Sequence, residues 1–483
     1  MAFSLARWAV RLLAAGAVLA VLGAAAGALV LQEKGITPRA LAPYIDKRTS
    51  DHNPTIVYVG QWSVAALLRL DRGQSGLRLA AFPAIGAQAA LPLAGHAEQR
   101  RIVASSDEMR RAMAAAVPGD VITLLPGRYQ FSGEPLTISR PGSAAANIVL
   151  RAEQAGSVTL EFALVEGFIV NAPYWRFENL AIRGTCPDQA ACEHAFHVVG
   201  AGHHFAAVNN TITDFNAHFK INGDMGGFPD HGLIDGNTLR NGSARVTSSP
   251  VTLVDLVAAS HWSIRRNLIA DFIKSGGDRI SYGAFVKGAG TDNVLEQNVV
   301  LCEARFQGAP GQRVGLSLGG GGTGKQYCRD AKCITEQDRG IVRANLIASC
   351  SDDGVYLNNA AASKVLHNTL IDTGGLQARY AGTSADIEGN LIDGDIRSRE
   401  GALLRLNDNR STPIALLYTG YHAQRRLFAD AGALDFSWRH DAPRRAAGEL
   451  QGEDLCGAKR PATPTYGAFE DISACQSLRR PAQ

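Results

Sequence analysis

No block of like charge runs through this chain. The formal net charge is +3, with Lys and Arg scattered among Asp and Glu. A basic stripe of the kind that tracks a phosphate backbone is missing, so nucleic acid is not an expected partner. Paired Cys-x-x-Cys or matching His spacing is missing too, which removes a structural zinc centre. A complete phosphate-binding loop is also missing. Residues Gly319 to Lys325 nearly spell one, but Gln326 stands where a Ser or Thr should hold magnesium, and Tyr327 to Asp330 do not open an apolar helix. That run reads instead as a loop beside a groove, leading into the polar insertion around Cys328 and Cys333. Finally, no helical period links the apolar runs of the central region.

What is present is a repeated phrase. A short apolar strand followed by Asn and alternating apolar residues recurs at Asn179, Asn210, Asn237, Asn267, Asn298, Asn345, Asn368 and Asn390, most plainly in Ile341 to Leu370. Self-similarity at a period of roughly 20 to 50 residues marks a stacked-repeat fold, in which each unit buries its apolar edge against its neighbours. The runs are short, rich in Val, Ile and Leu, and bounded by Gly, Asn, Asp and Ser, so they are strands. Short strands climbing about 4.8 Å per coil make a parallel β-helix, where like side chains stack. Asn fits a fixed turn there, because it tolerates left-handed backbone and its amide can bond the Asn of the next coil. The fold class expected is all-β, a right-handed single-stranded parallel β-helix over 101–410.

Ahead of the helix, residues 12–31 carry no charge and follow Arg7 and Arg11. They read as a transmembrane anchor with the β-helix on the periplasmic side, or as a signal peptide cleaved at the small residues 24–28. Either reading exports the chain. Residues 32–100 read as a linker and small accessory segment with one strand candidate, Thr55 to Val59. An amphipathic helix over 108–116, capped by Ser106 or Asp107, would cover the open end of the stack. Residues 411–483 read as a closing tail. The eight cysteines fit an oxidising compartment, with pairs Cys186–Cys192, Cys328–Cys333, Cys302–Cys350 and Cys456–Cys475 expected as disulfides.

The run Ser106 to Glu153, with Pro-Gly-Asp-Val-Ile-Thr-Leu-Leu-Pro-Gly-Arg-Tyr and Ile-Val-Leu-Arg-Ala-Glu, resembles the N-terminal part of β-helix polysaccharide lyases of the chondroitinase B and alginate lyase type. The closing phrases around Leu427 to Asp430 and Tyr466 to Glu470 resemble the tails of secreted β-helix proteins. The resemblance implies an acidic polysaccharide as partner, and β-elimination or epimerisation at a uronic acid as activity. It also implies calcium, a Lys base and an Arg. Lys287 matches the strand of the family lysine. Ile280 and Tyr282 stand where acidic ligands are expected, which leaves calcium without its ligands, and Arg313 is the substitute for an arginine missing from Gly315 to Gly319.

Counting back eleven residues from the repeat Asn lands on Val199, Leu256, Lys287, Leu357 and Arg379. This register puts Asp255, Val286 and Tyr356 on the outer face, and Lys287 either at a strand end or paired inside. In the run His218 to Asn222, alternation places His218, Lys220 and Asn222 on the outer face with Asp255. The candidate catalytic residues are therefore Lys287, Lys220, Arg313, Asp255 and His218, and no cofactor is expected. Asp352 and Asp353 suggest the paired carboxylates of β-helix hydrolases, but the Gly-His-Gly and Arg-Ile-Lys motifs of that group do not occur, and the pair reads as a turn. The other reading is a non-catalytic carbohydrate-binding or cell-envelope scaffold protein.

Overall fold

A computed structural model of the protein describes residues 25–72, 85–88, 99–224, 226–320, 322–446, 448 and 452–477, with a few positions before residue 25. Two compact units form, one from residues 1–74 with 412–423 and one from 75–411 with 424–483.

The smaller unit contains the helices Pro38–Thr49 and Pro54–Arg72, joined by a buried ion pair between Arg39 and Asp71. The strand expected at Thr55 to Val59 is thus overturned. Asn53 caps the second helix by accepting from the Ile56 amide at 3.1 Å, and Pro54 fits a first turn whose amides have no intrahelical partner. Local capping outweighs the β-branched run. Among the described residues no helix is long and apolar enough to cross a membrane. Part of the span 12–31 lies outside those residues.

The larger unit is a parallel β-helix. Its coils lay successive strands into three parallel sheets of twelve, ten and eleven strands, in which each strand pairs with its counterpart one coil away. The twelve-stranded sheet starts at Gln99–Val103. The helix Ser106–Ala114 follows, capped by Ser105, one residue before Ser106 and two before Asp107, and buries Met109 and Met113 against the first coils. The core is a file of stacked side chains, such as Phe168, Phe196 and Phe219, whose neighbouring ring centroids are 4.9 and 5.3 Å apart. In the tail, Phe428, Phe436, Leu455 and Phe469 pack on Val299, Leu301, Leu346 and Leu391 of the eleven-stranded sheet.

The Asn column holds one turn of every coil from Asn210 to Asn390 and continues to Asn409. From Asn237 to Asn390 each side chain accepts from the backbone amide and the side-chain amide of the Asn before it, as Asn298 Oδ1 does from Asn267 at 3.0 Å each, and donates to the Asn after it. Asn179 departs from expectation. It stacks with Asn209 in the neighbouring column, and Leu180 occupies its place in the main one.

All four expected disulfides form, with Cα separations of 5.6, 4.9, 5.6 and 4.6 Å in chain order. Cys302–Cys350 joins neighbouring coils inside the core and closes a span of 48 residues. Replacing both cysteines with Ala should lower unfolding stability by about 3 to 4 kcal/mol in urea titration, since the unfolded chain regains the closed loop's entropy.

Candidate functional site

The outer face of the ten-stranded sheet is read from its register. Residues His197, Lys220, Asp255, Phe285, Ser317 and Tyr356 follow one another across adjacent coils. The inward column beside it is Val198, Ile221, Leu256, Val286, Leu318, Leu357 and Ala378. The sequence register was therefore one residue off at this coil: Val286 points inward, and Lys287 emerges on the outer face beside Val257. The turn from Val286 to Asn298 is one residue longer than the turn from Leu256 to Asn267, which displaces the count.

A groove of about 580 Å³ runs over this face, lined among others by Lys220, Asn222, Asp255, Tyr282, Phe285 and Lys287. Lys220 Nζ donates to Asp255 Oδ2 at 2.8 Å. The Lys287 ammonium lies 4.5 Å from the centroid of the Phe285 ring and has no hydrogen-bond partner among the described residues. Burial pushes the Lys287 amine below its ordinary range; Lys220 adds to that, while Asp255 and Glu336 oppose it. Tyr282 meets Phe285 edge-on, and burial pushes its phenol up to about 12. One face thus presents a desolvated amine, a lysine–carboxylate pair and a neutral phenol. That set can accept a proton, hold an anion and donate a proton.

The glycine run forms one wall. Gly320, Gly322, Thr323 and Gly324 line the groove, and Glu336 ties this loop down by accepting from Thr323 Oγ1 at 3.0 Å and from the Gly288 amide at 2.9 Å. At position 320 a Cβ would stand 2.9 Å from Lys287 Cδ, so glycine lets the loop cross the lysine stem.

Two candidates lie elsewhere. Arg313 is buried: its Nε meets Glu303 Oε1 at 2.7 Å, and its remaining donors reach the carbonyls of Pro310 and Ala309. A guanidinium so enclosed does not face the groove, and the sequence could not show that Glu303, on a preceding loop, would claim it. His218 is fully buried as well, although alternation puts it outside. Its Nε2 lies 3.2 Å from Asn241 Oδ1, and burial pushes its pKa down to about 4. Held neutral in the fold but free to protonate when unfolded, His218 favours unfolding as pH falls from about 6.5 to 4, by up to about 3 kcal/mol below that window. His218→Gln should flatten the dependence of Tm on pH across that range.

Ile280 and Tyr282 supply no carboxylate to the groove; of the two carboxylates that line it, Asp255 pairs with Lys220 and Asp278 with Lys274, which leaves a calcium ion short of the oxygens it prefers. Sequence reasoning read Tyr282 only as a missing carboxylate and did not name its phenol among the site residues. It also missed Glu166, His194 and His197, which share the outer face beside Lys220; the hydrogen bonds from both histidines hold the Glu166 carboxyl well below the usual carboxylate range. Their partners are 28 and 31 residues apart, so only coil register could have paired them.

No family model matches the sequence. Over 78% of this chain and 98% of the other, the structure aligns with pectate lyase Pel9A at a TM-score of 0.54 and 16% identity. The fold is the parallel β-helix of polysaccharide lyases. A rhamnogalacturonan lyase aligns over 63% of this chain and 81% of that one, at a TM-score of 0.43 and 12% identity. In sequence, pectate lyase L of Dickeya chrysanthemi is 31% identical over 84 residues, which span 15% of this chain and 20% of that protein. The polysaccharide-lyase resemblance read from Ser106 to Glu153 thus holds for the fold.

Proposed function

We propose that the groove binds an acidic polysaccharide and cleaves it by β-elimination at a uronic acid, with Lys287 as the base. The observation that carries this reading is the Lys287 amine: half-buried, unpaired, and depressed in pKa on the groove floor. The neutral amine takes the proton from the carbon beside the sugar carboxylate. The Lys220 ammonium, oriented by Asp255, offsets the negative charge that builds on that carboxylate. The electron pair forms a carbon–carbon double bond, the glycosidic carbon–oxygen bond breaks, and the Tyr282 phenol protonates the leaving oxygen. Returning a proton to the opposite face of that carbon, with the glycosidic bond left intact, would give epimerisation.

The resemblance to lyases and the weak pectate lyase match support this substrate class, and four disulfides support an exported protein. Incubating the soluble part with a panel of uronic-acid polymers tests the reading, through the ultraviolet absorbance of an unsaturated product. Binding to such a polymer with neither cleavage nor epimerisation would leave the scaffold reading in its place.

A further inference from the structure

The geometry points to a transition-metal site built from Glu166, His194 and His197 on the outer face of the ten-stranded sheet, with the histidines one coil before Lys220 and Glu166 two coils before it. Glu166 Oε1 lies 3.2 Å from His194 Nδ1 and 2.6 Å from His197 Nδ1, and the three ligand atoms are all within 4.8 Å of one another. Each side chain is about a fifth exposed, open enough for an ion to enter.

The hydrogen bonds around His197 make the case chemical as well as geometric. Asn222 Nδ2 donates to the Gly223 carbonyl at 3.0 Å, so Asn222 Oδ1 is the atom 2.8 Å from His197 Nε2. An oxygen acceptor there puts a ring proton on Nε2 and leaves Nδ1 as the nitrogen aimed at Glu166. His194 Nδ1 points at the same carboxylate oxygen. A cation that enters takes these three atoms as ligands and displaces any proton shared between the ring nitrogens and the carboxylate. An outer hydrogen bond that fixes the tautomer and aims the other nitrogen inward is the usual support of a metal-bound histidine. Two imidazoles and one carboxylate select zinc or a similar transition ion over calcium, which prefers six to eight oxygens. Ligand bonds of about 2.0 to 2.2 Å need only small side-chain rotations here, and three protein ligands leave a further coordination position open towards solvent. Asn222 also lines the groove, so the ion would stand at the groove's edge.

Titration with zinc ion alone, in competition with a chromophoric chelator, tests this without any glycan, so it succeeds or fails separately from the lyase reading. The full chain should bind one equivalent, and cobalt in its place should give the visible spectrum of a low-coordinate site. His194→Ala and Glu166→Gln should each weaken zinc binding at least tenfold. His204→Asn should not, although His204 and its neighbours His203 and His231 offer other surface imidazoles. Ring-nitrogen NMR of the unmutated protein should show zinc shifting the Nδ1 signals of His194 and His197, a readout that needs no variant to fold. Zinc leaving those signals unchanged, or binding lost with His204→Asn alone, overturns the site and leaves a proton bridge between Glu166 and His197.

Discussion

Lys287→Ala should reduce turnover on a uronic-acid polymer by about a hundred- to ten-thousand-fold, the range a positioned general base supplies. The thermal midpoint should stay near that of the parent. Lys287 reaches outward from a strand whose packing is made by Ala284 and Val286, and its amine lacks a hydrogen-bond partner among the described residues, so its loss opens no core. A pH profile adds an independent check. The base works when deprotonated, so the rate should rise with pH through the depressed amine pKa and then level off. Asp255→Asn removes a charge that raises that pKa and should move the rise to lower pH. Lys220→Met removes one that lowers it and should move the rise to higher pH, on top of a weaker hold on the substrate.

Asn298→Ala should be among the most destabilising single substitutions in the fold. Asn298 sits mid-column and fully buried: it donates to the Ile264 carbonyl at 2.9 Å and to Asn345 Oδ1 at 3.0 Å, and accepts twice from Asn267. Truncation leaves the Asn267 backbone amide and the Ile264 carbonyl buried without partners, at about 1 to 3 kcal/mol each. A total loss near 4 kcal/mol in denaturant unfolding is expected, including the small cavity. Asn409→Ala, at the column's last and half-exposed position, should lose markedly less, because water reaches the freed groups.

The fold was legible because each coil repeats one physical requirement, a turn Asn whose side chain bonds its copies in the coils on either side; the left-handed position, which the sequence reading gave to that Asn, falls instead on the residue before it, as at Arg266, Gln297 and Ala344. The Cys302–Cys350 pair was legible for the same reason, since both follow equivalent Asn residues, while Cys186–Cys192 and Cys328–Cys333 were legible from their closeness in sequence. The site was legible only where alternation is regular. It placed Lys220 and Asp255 correctly on one face, but it failed at Lys287, where the turn gains a residue. It failed at His218, which lies under the loop carrying Asn241, and at Arg313, which Glu303 takes from the surface. Tyr282 was read only as a missing carboxylate. Its place in the groove follows from packing on Phe285, which no spacing rule encodes.

The most direct test of the groove's role is the ultraviolet absorbance of unsaturated product from a uronic-acid polymer panel, run in parallel with the parent chain and Lys287→Ala at matched Tm. Product from the parent on at least one polymer, and essentially none from Lys287→Ala, is the predicted result. Equal product from both proteins, or none from the parent on any polymer, would contradict the assignment of Lys287 as the base of an eliminating site.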